Sequence, residues 1–332
     1  MSRLRTPFGI FIAGLAATTP LPSHADEGGV SFWAPGLYGS LAAAPGTPGL
    51  SLAAVYYHVN VETGGGRALP SGGQIRAGLG ARVDSVFFNA NYVSPNPVWG
   101  AQFAFGLAVP VARVRASVDA TLTGPGGGVV SGSASDTFTG FGDLYPTATL
   151  KWNKGVHNYM TYLTGDIPLG AYRPGRLANL SIGHSAIDGG VGYTYLDPSK
   201  GHEFSVVTGL TYNFENNDTN YQNGVDWHVD WGASQFLSKQ VHIGLVGYFY
   251  QQLTDDSGGF SAALGGFRSR VAGIGPQFGY IFPVGDKWQG YMNLKGYYEF
   301  AAKNRPEGWN VWLTLAISPS APHESGAKKV TK

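Results

Sequence analysis

The chain holds few residues whose types and spacing favour catalysis or metal binding. Its eight histidines include no His-x-His or His-x-x-x-His pair, and it has no cysteine. The closest match to a Gly-x-Ser-x-Gly nucleophile elbow, at residues 259–263, ends on alanine. The glycine-rich stretch 122–135 lacks the Gly-Lys-Ser/Thr ending of a phosphate-binding loop. We therefore predict no catalytic residue, no metal and no cofactor, and we interpret 122–135 as a loop.

Charged side chains recur at alternate positions, which is the spacing of one face of a β-strand. They would either select and orient a solute, or pair across strands and stiffen the interior. Pairing is the favoured interpretation, because a charge in a narrow interior needs a partner. The charged residues predicted to face inward are Arg82, Asp84, Asp143, Lys151, Asp188, His228, Asp230, Lys295 and Glu299.

Aromatic side chains are predicted on the same inward face. Their rings and hydroxyl groups would suit phenolic solutes, although filling of the interior is the favoured interpretation for each residue alone. The inward aromatic residues are Tyr56, Phe87, Tyr145, Tyr248, Tyr250, Tyr291 and Tyr297. A second set is predicted to face outward as a membrane-interface girdle, and it comprises Trp227, Trp231, Trp288, Trp309 and Tyr298.

The elements that position these residues are predicted to be strands. From residue 288 to 300 the even positions carry Trp288, Met292, Leu294, Tyr298 and Phe300, whereas most odd positions are polar. Side chains alternate between the two faces of a strand, so this pattern makes one face apolar and the other polar. The same pattern predicts twelve strands, roughly at 50–61, 75–93, 99–118, 140–152, 157–168, 185–196, 202–214, 225–237, 240–253, 268–281, 287–300 and 308–317.

The connections between these strands alternate in length. Residues 62–74, 119–139 and 169–184 are long connections, and 94–98 and 153–156 are short ones. Outer-membrane barrels have this alternation, with long extracellular loops and tight periplasmic turns. We therefore predict an all-β fold, a single antiparallel transmembrane β-barrel of about twelve strands. Such a barrel leaves a bore of roughly 6 Å radius inside its side chains.

Two places depart from the simple alternation. The apolar positions change parity between Arg82 and Val86, which predicts a β-bulge. Pro110 interrupts the third strand, and Arg113 and Arg115 beyond it fall on the outer face, which is the wrong face for a charge unless they lie above the membrane.

The overall composition agrees with a barrel rather than a soluble enzyme. The chain has 50 glycines, and 13% of its residues are charged, against roughly 25% in typical soluble domains. Small and aromatic residues suit lumen-facing positions and interface girdles. The formal net charge of +1 provides no basic surface for nucleic acid.

The two ends of the chain are predicted not to form strands of the barrel wall. Residues 1–25 have the features of a cleaved secretory signal: Arg3 and Arg5, a short apolar run, and the small-x-small pattern Ser23-His24-Ala25, with cleavage predicted after Ala25. The barrel is predicted to span 50–317, followed by a polar tail at 318–332. Residues 26–49 fit no lipid-facing strand and are predicted to fold into the periplasmic half of the lumen as a plug, or to form a periplasmic strap. The candidate plug residues are Phe32, Trp33, Pro35 and Tyr38.

Several stretches of the chain carry a resemblance to a known family. They include Gly140-Phe141-Gly142-Asp143, the stretch at 29–36, the stretch at 247–258 and the stretch at 304–308. In combination they resemble the outer-membrane proteins of the meta-pathway of phenol degradation, over about residues 28–317. Asp143 is the strongest single site candidate, since it lies in one of these stretches.

The resemblance implies a bacterial outer-membrane barrel that passes small hydrophobic or aromatic compounds. The expected partners are outer-membrane lipid, the outer-membrane assembly machinery and such a solute, and nucleic acid is not expected. One alternative is a non-transporting barrel that acts as a structural or surface-interaction protein. A barrel hydrolase is the least favoured alternative.

Overall fold

The computed structural model describes residues 31–68, 74–258 and 268–321, so the predicted signal and nearly all of the polar tail lie outside the described residues. Among these residues no helix is long and apolar enough to span a bilayer. The strands are β1 (Gly49–Ala68), β2 (Gln74–Val93), β3 (Gln102–Thr123), β4 (Val129–Phe141), β5 (Tyr145–Lys154), β6 (His157–Asp166), β7 (Ala186–Asp197), β8 (His202–Asn213), β9 (Tyr221–Gln222), β10 (Asp226–Phe236), β11 (Val241–Gln252), β12 (Ser257–Gly258), β13 (Arg270–Val284), β14 (Trp288–Lys303) and β15 (Glu307–Pro319).

Twelve of these strands form a closed antiparallel ring. Each pairs with its neighbours in the order β1, β2, β3, β5, β6, β7, β8, β10, β11, β13, β14 and β15, and β15 pairs back onto β1 from Leu52↔Ile317 to Glu62↔Glu307. Closure leaves no open sheet edge around this ring, which is the condition for a sheet to cross hydrocarbon. The predicted twelve-stranded barrel is confirmed.

The wall contains one interrupted strand. The N-terminal part of β3 pairs with β5, up to Ala108↔Tyr145, and its C-terminal part pairs with β4, from Val111↔Phe141 onward. Pro110 lies at the change of partner, and its carbonyl accepts a hydrogen bond from the Gly142 amide at 2.9 Å. Proline has no N–H to donate, so it is well suited to this gap in the ladder.

The interpretation of 122–135 as a loop is largely wrong. Only residues 124–128 connect β3 to β4, and β4 begins at Val129. The strand was missed because its residues are mostly serine, threonine and glycine and are exposed on both faces. A strand with no buried face lacks the apolar alternation by which the others were found.

The two faces of the barrel differ as the period-two pattern predicts. Exposed apolar residues such as Leu52, Phe88, Val191, Leu210 and Leu315 form an outer band. Buried polar and aromatic residues occupy the alternate positions. Four residues of the predicted girdle, Trp227, Trp288, Trp309 and Tyr298, are exposed on the outer face.

The predicted bulge between Arg82 and Val86 is wrong. β2 pairs residue by residue with β1 and with β3 through this stretch. The observed register shift lies elsewhere, between Arg270 and Ala272. The change of parity arises because β1, β2 and β3 continue beyond the apolar band, where the outer face is polar.

The lipid-facing role of the outer band is testable at Val191, which lies near the middle of β7 and is 57% exposed. We expect Val191→Arg to lower the free energy of unfolding by about 2–4 kcal/mol, the cost of a cation at the bilayer midplane of such a barrel. The measurement is denaturant unfolding in phospholipid vesicles. Val129→Arg, on the exposed part of β4, is the matched control and should be close to neutral. Equal effects at the two positions would contradict the assignment of faces.

Candidate lumen site

An irregular segment of the chain, residues 31–48, contacts inward-facing side chains of the barrel. We refer to it as the N-terminal segment. It leads directly into β1, and Gln102, at the start of β3, bonds both to the amide and to the carbonyl of Gly46 at 2.7 Å. At its other end the Phe32 ring lies 5.9 Å from that of Tyr145. The segment therefore runs from the end of the barrel that carries the short turns into its interior.

Two charged side chains hold the backbone at Gly36–Tyr38. The carboxylate of Asp230 accepts hydrogen bonds from the Gly36 amide at 3.0 Å and from the Tyr38 amide at 3.1 Å. The Lys295 ammonium donates to the carbonyl of Gly36 at 2.7 Å and to that of Leu37 at 3.0 Å. Asp230 and Lys295 are 1% and 4% exposed. An anion and a cation thus bind the two kinds of backbone group in one turn of irregular chain.

A second set of contacts holds residues 40–46 nearer the rim. The Glu203 carboxylate accepts from the Leu41 amide at 2.8 Å. The Thr194 hydroxyl accepts from the Ala43 amide at 2.9 Å. The Lys151 ammonium donates to the carbonyls of Ala42 at 2.9 Å and Ala44 at 3.0 Å. Because this stretch is not in a helix or sheet, these side chains take the place of the backbone partners it lacks.

Small residues let the segment approach the wall closely. A Cβ added to Gly232 of β10 would lie 2.7 Å from the Ser40 amide nitrogen. The hydroxyls of Ser40 and Ser234 are 2.8 Å apart, and the Gln277 amide donates to both. Gly36 has φ +87°, and a Cβ there would lie 2.9 Å from the Tyr297 ring. These positions require glycine or a small side chain.

Trp33 of the segment stacks on the barrel wall. Its ring lies 3.5 Å from that of His228, with 13° between the planes, and Tyr38 and Tyr162 flank it at about 6 Å. His228 Nε2 lies 3.0 Å from Asp188 Oδ2, and the Tyr162 hydroxyl donates to Asp188 Oδ1 at 2.7 Å. Trp33, His228 and Asp188 are buried. The wall thus provides a rigid, hydrogen-bonded ring surface for the tryptophan.

A separate network of side chains lies beyond the segment, near the connection between β14 and β15. The Tyr248 hydroxyl donates to Glu299 at 2.6 Å and accepts from Asn310 at 2.9 Å. The Trp312 indole N–H donates to Asn310 at 3.1 Å. The Arg305 guanidinium lies 4.9 Å from the Tyr250 ring centroid. This network joins β11, β14 and β15 on the inner face.

Most of the predicted inward residues contact other inward side chains or the N-terminal segment. Lys151, Asp230 and Lys295 bind its backbone, and His228 and Tyr145 contact its rings. Phe32, Trp33 and Tyr38 all make ring contacts there, and Pro35 is buried. The remaining inward charged and aromatic residues, Asp188, Glu299, Tyr248, Tyr250, Tyr291, Tyr297 and Phe87, also pack inside.

Three predicted lumen residues lie on the outer face instead. Arg82 and Asp84 share their face with the exposed Phe88, and Tyr56 is 37% exposed and donates to Asp84 at 2.7 Å. The assumption that polar side chains point inward fails here because the strands have left the apolar band.

Asp143 is fully buried between β4 and β5 rather than on a strand. Its carboxylate accepts from the Gly170 amide at 2.8 Å and the Ile182 amide at 3.2 Å. Gly170 approaches so closely that a Cβ on it would lie 2.7 Å from the backbone of Gly142. Asp143 therefore anchors the connection 167–185 over the interrupted strand.

Sequence reasoning missed Glu203, Thr194, Tyr162 and Gln277. Each lies on the inward face of a strand whose bounds were predicted to within two or three residues. Parity alone would have selected all four. Thr194 and Gln277 carry no charge, and Tyr162 with Met160 places apolar surface on the inner face of β6, so residue type does not single these positions out; Glu203 follows from parity alone.

The inner face of the described barrel shows no metal-binding constellation. Among the residues that the structure describes, no three His, Asp or Glu side chains are grouped to hold an ion. The buried carboxylates Asp230 and Glu203 instead accept backbone N–H groups. The arrangement is suited to holding a peptide segment in place.

A closed twelve-stranded antiparallel barrel with an apolar outer band and a segment of chain inside it defines the outer-membrane β-barrel class of fold. Within that class, the model of the family described as "Putative MetA-pathway of phenol degradation" matches residues 54–315, and the chain belongs to this family. No curated protein matches the chain.

Comparison with a solved structure supports the fold, and two further structures match with lower scores. An outer membrane channel from Pseudomonas putida F1 is similar with a TM-score of 0.58 and 14% identity, covering 83% of this chain and 98% of that one. The transport unit of the autotransporter AIDA-I from Escherichia coli gives a TM-score of 0.39 at 8% identity, covering 83% and 91%. A FadL homologue from Pseudomonas aeruginosa gives 0.33 at 8% identity, covering 81% and 88%.

The hold of Asp230 and Lys295 on the segment is testable by cysteine labelling, because the chain has no native cysteine. We expect Ala34→Cys to react with a membrane-impermeant maleimide about tenfold faster, or more, when Asp230→Asn and Lys295→Met are added, since each lost charged hydrogen bond contributes about 1.5–3 kcal/mol. The control Lys239→Cys, in an exposed turn, should react equally in both backgrounds. Unchanged labelling at residue 34, with the barrel still folded, would contradict the clamp.

Proposed function

We propose that this protein is a gated outer-membrane passage for small hydrophobic or aromatic compounds, and that the N-terminal segment is its gate. The single observation that carries the proposal is the set of hydrogen bonds from inward side chains to the backbone of residues 36–46. These bonds hold a segment of chain across a bore of only roughly 6 Å radius. Family membership and the channel fold support the same conclusion.

The gate would have to move for a solute to pass. Its bonds come from separate strands around the ring, namely β5, β7, β8, β10 and β14. Loss of any one bond leaves the others in place, so opening has to release several together. A device of this kind suits slow, selective entry better than free diffusion of hydrophilic solutes.

The lining that movement would expose is suited to a phenol. Withdrawal of Trp33 with the segment would bare the His228 ring and leave a flat slot beside Tyr162. In the neutral tautomer in which Nε2 donates to Asp188, Nδ1 of His228 is an acceptor, and it has no hydrogen-bond partner among the described residues. A phenolic solute that meets the edge of the imidazole would donate its hydroxyl to Nδ1 in the plane of the ring, where the lone pair lies.

This lining predicts that the barrel discriminates between a phenol and its isosteric hydrocarbon. His228→Phe keeps a flat ring but removes the acceptor, so we expect uptake of a cresol to fall several-fold and uptake of toluene to stay within about twofold, since a site built to bond a hydroxyl discriminates on it. The measurement is entry of radiolabelled solute into cells that express the variant. An equal fall for both solutes would contradict a role for His228 in recognition.

Locking the gate tests the proposal itself. Ser40 and Ser234 face each other with hydroxyl oxygens 2.8 Å apart, so Ser40→Cys with Ser234→Cys would place two sulfurs within reach of a disulfide. We expect the oxidised double variant to lose uptake of the aromatic solute and to regain it on reduction.

The two single-cysteine variants are the matched controls and should not respond to the redox state. Equal uptake by the oxidised and reduced double variant would contradict a moving gate. Absence of uptake in every form, including a variant that lacks residues 31–46, would instead favour a barrel that does not transport.

A further inference from the structure

Three arginines form a patch on the outer face of the barrel, away from the lumen. We refer to Arg82 of β2 with Arg113 and Arg115 of β3 as the arginine patch. Arg82 lies directly opposite Arg115, and Asp84 lies opposite Arg113. Arg113 and Arg115 lie an even number of residues from the exposed Phe105 and Leu107 on β3, so they share its outward face. Arg82 and Asp84 of β2 pair directly with Arg115 and Arg113, so they lie on the same face.

The patch has an excess of positive charge that the protein does not neutralise. Directly opposed like charges on adjacent strands destabilise a sheet. Asp84, the carboxylate in the patch, accepts hydrogen bonds from Tyr56 and His58, both at 2.7 Å, and lies 3.9 Å from Arg82. Within the described part of the chain, no carboxylate lies within 4 Å of Arg113 or Arg115. Opposed arginines lower the stability of the folded barrel when nothing neutralises them. A bound anion would offset this repulsion, which would account for the arrangement.

The patch has the shape of a shallow site. Arg82, Asp84, Arg113 and Arg115 line a cavity of about 230 Å³. The Arg82 side chain is 56% exposed, and Arg113 and Arg115 are also exposed. Guanidinium groups bind phosphate oxygens in pairs of parallel hydrogen bonds, and three of them around one cavity are suited to a phosphate group.

Its height on the barrel identifies the source of that phosphate. The outward face of β2 is apolar or aromatic at Tyr92, Ala90, Phe88 and Val86 and becomes charged at Asp84. Eight residues separate Tyr92 from Asp84, which at about 3.3 Å each and roughly 40° of tilt is a rise of about 20 Å, close to the height of the apolar band. The patch therefore lies at the extracellular edge of the hydrocarbon.

We propose that the arginine patch binds the phosphorylated headgroup of a lipopolysaccharide molecule in the outer leaflet. The acyl chains of that lipid lie along the apolar residues below the patch, and a headgroup phosphate occupies the cavity between the arginines. The site is independent of the passage through the lumen, since its side chains point to the opposite face of the same strands.

Native mass spectrometry of the full chain in detergent, with purified bisphosphorylated lipid A as the probe, tests the proposal. We expect the wild type to retain one lipid A, and Arg82→Gln, Arg113→Gln and Arg115→Gln together to weaken binding about tenfold or more, since each arginine removes charge-assisted hydrogen bonds. A control triple variant, Lys154→Gln, Lys239→Gln and Lys287→Gln, removes the same charge from exposed positions at the other end of the barrel and should bind as the wild type does.

A second variant keeps the test informative if the triple variant folds poorly. Arg115→Gln alone relieves the opposition to Arg82, so it should be at least as stable as the wild type and still bind lipid A several-fold more weakly. Lipid A stripped of its phosphates should bind poorly to the wild type. Equal binding of lipid A by Arg115→Gln and the wild type, or equal binding of dephosphorylated lipid A or of phosphatidylglycerol, would overturn the assignment.

Discussion

Irregular backbone inside a closed barrel must find a partner for every N–H and C=O group, and this requirement governs the interior of the protein. The N-terminal segment has no helix or sheet to supply those partners. The inner face of the barrel supplies them through side chains, with carboxylates for the amides and ammonium groups for the carbonyls. An unpaired amide or carbonyl in such a place costs about 1–3 kcal/mol. The seated segment and the charged lumen are therefore two parts of one structural solution.

The same requirement explains why so many ionisable groups face inward. Asp230, Glu203, Lys151 and Lys295 contribute two anions and two cations, so the set carries no net charge. Each is bound to backbone rather than to an oppositely charged side chain across the lumen. The interpretation of the lumen charges as pairs across strands describes Asp188 and His228, whereas Asp230, Lys151 and Lys295 bind peptide groups of the segment.

Much of the fold was predictable from the sequence because period-two alternation is a local signal. Eleven of the twelve ring strands begin and end within a few residues of the predicted positions or extend beyond them, and the fourth, predicted at 140–152, begins at Tyr145 after the interruption. Inward residues such as Lys295 followed from the same rule. Arg82, Asp84 and Tyr56 did not, because their direction depends on how far a strand rises above the hydrocarbon. The contacts of Asp143 depend on a distant connection, which periodicity does not report.

The contrast between the two faces of β2 and β3 links these points. On the inner face Ser85 and Phe87 lie among buried residues, whereas on the outer face Arg82 and Asp84 meet the membrane edge. β3 thus carries two kinds of polar residue, Gln102, which binds Gly46 of the segment, and Arg113 and Arg115 on the outward face. Both follow from the same alternation of side chains in long strands.

Amide hydrogen exchange of the protein in lipid bilayers tests the central claim most directly. Its readout is the exchange rate at Gly36, Tyr38, Leu41 and Ala43, whose amides are bonded to Asp230, Glu203 and Thr194. If the segment is seated as described, these amides are protected to a degree comparable with the neighbouring strands. Exchange at the rate of an unstructured peptide, with the strands still protected, would contradict the account.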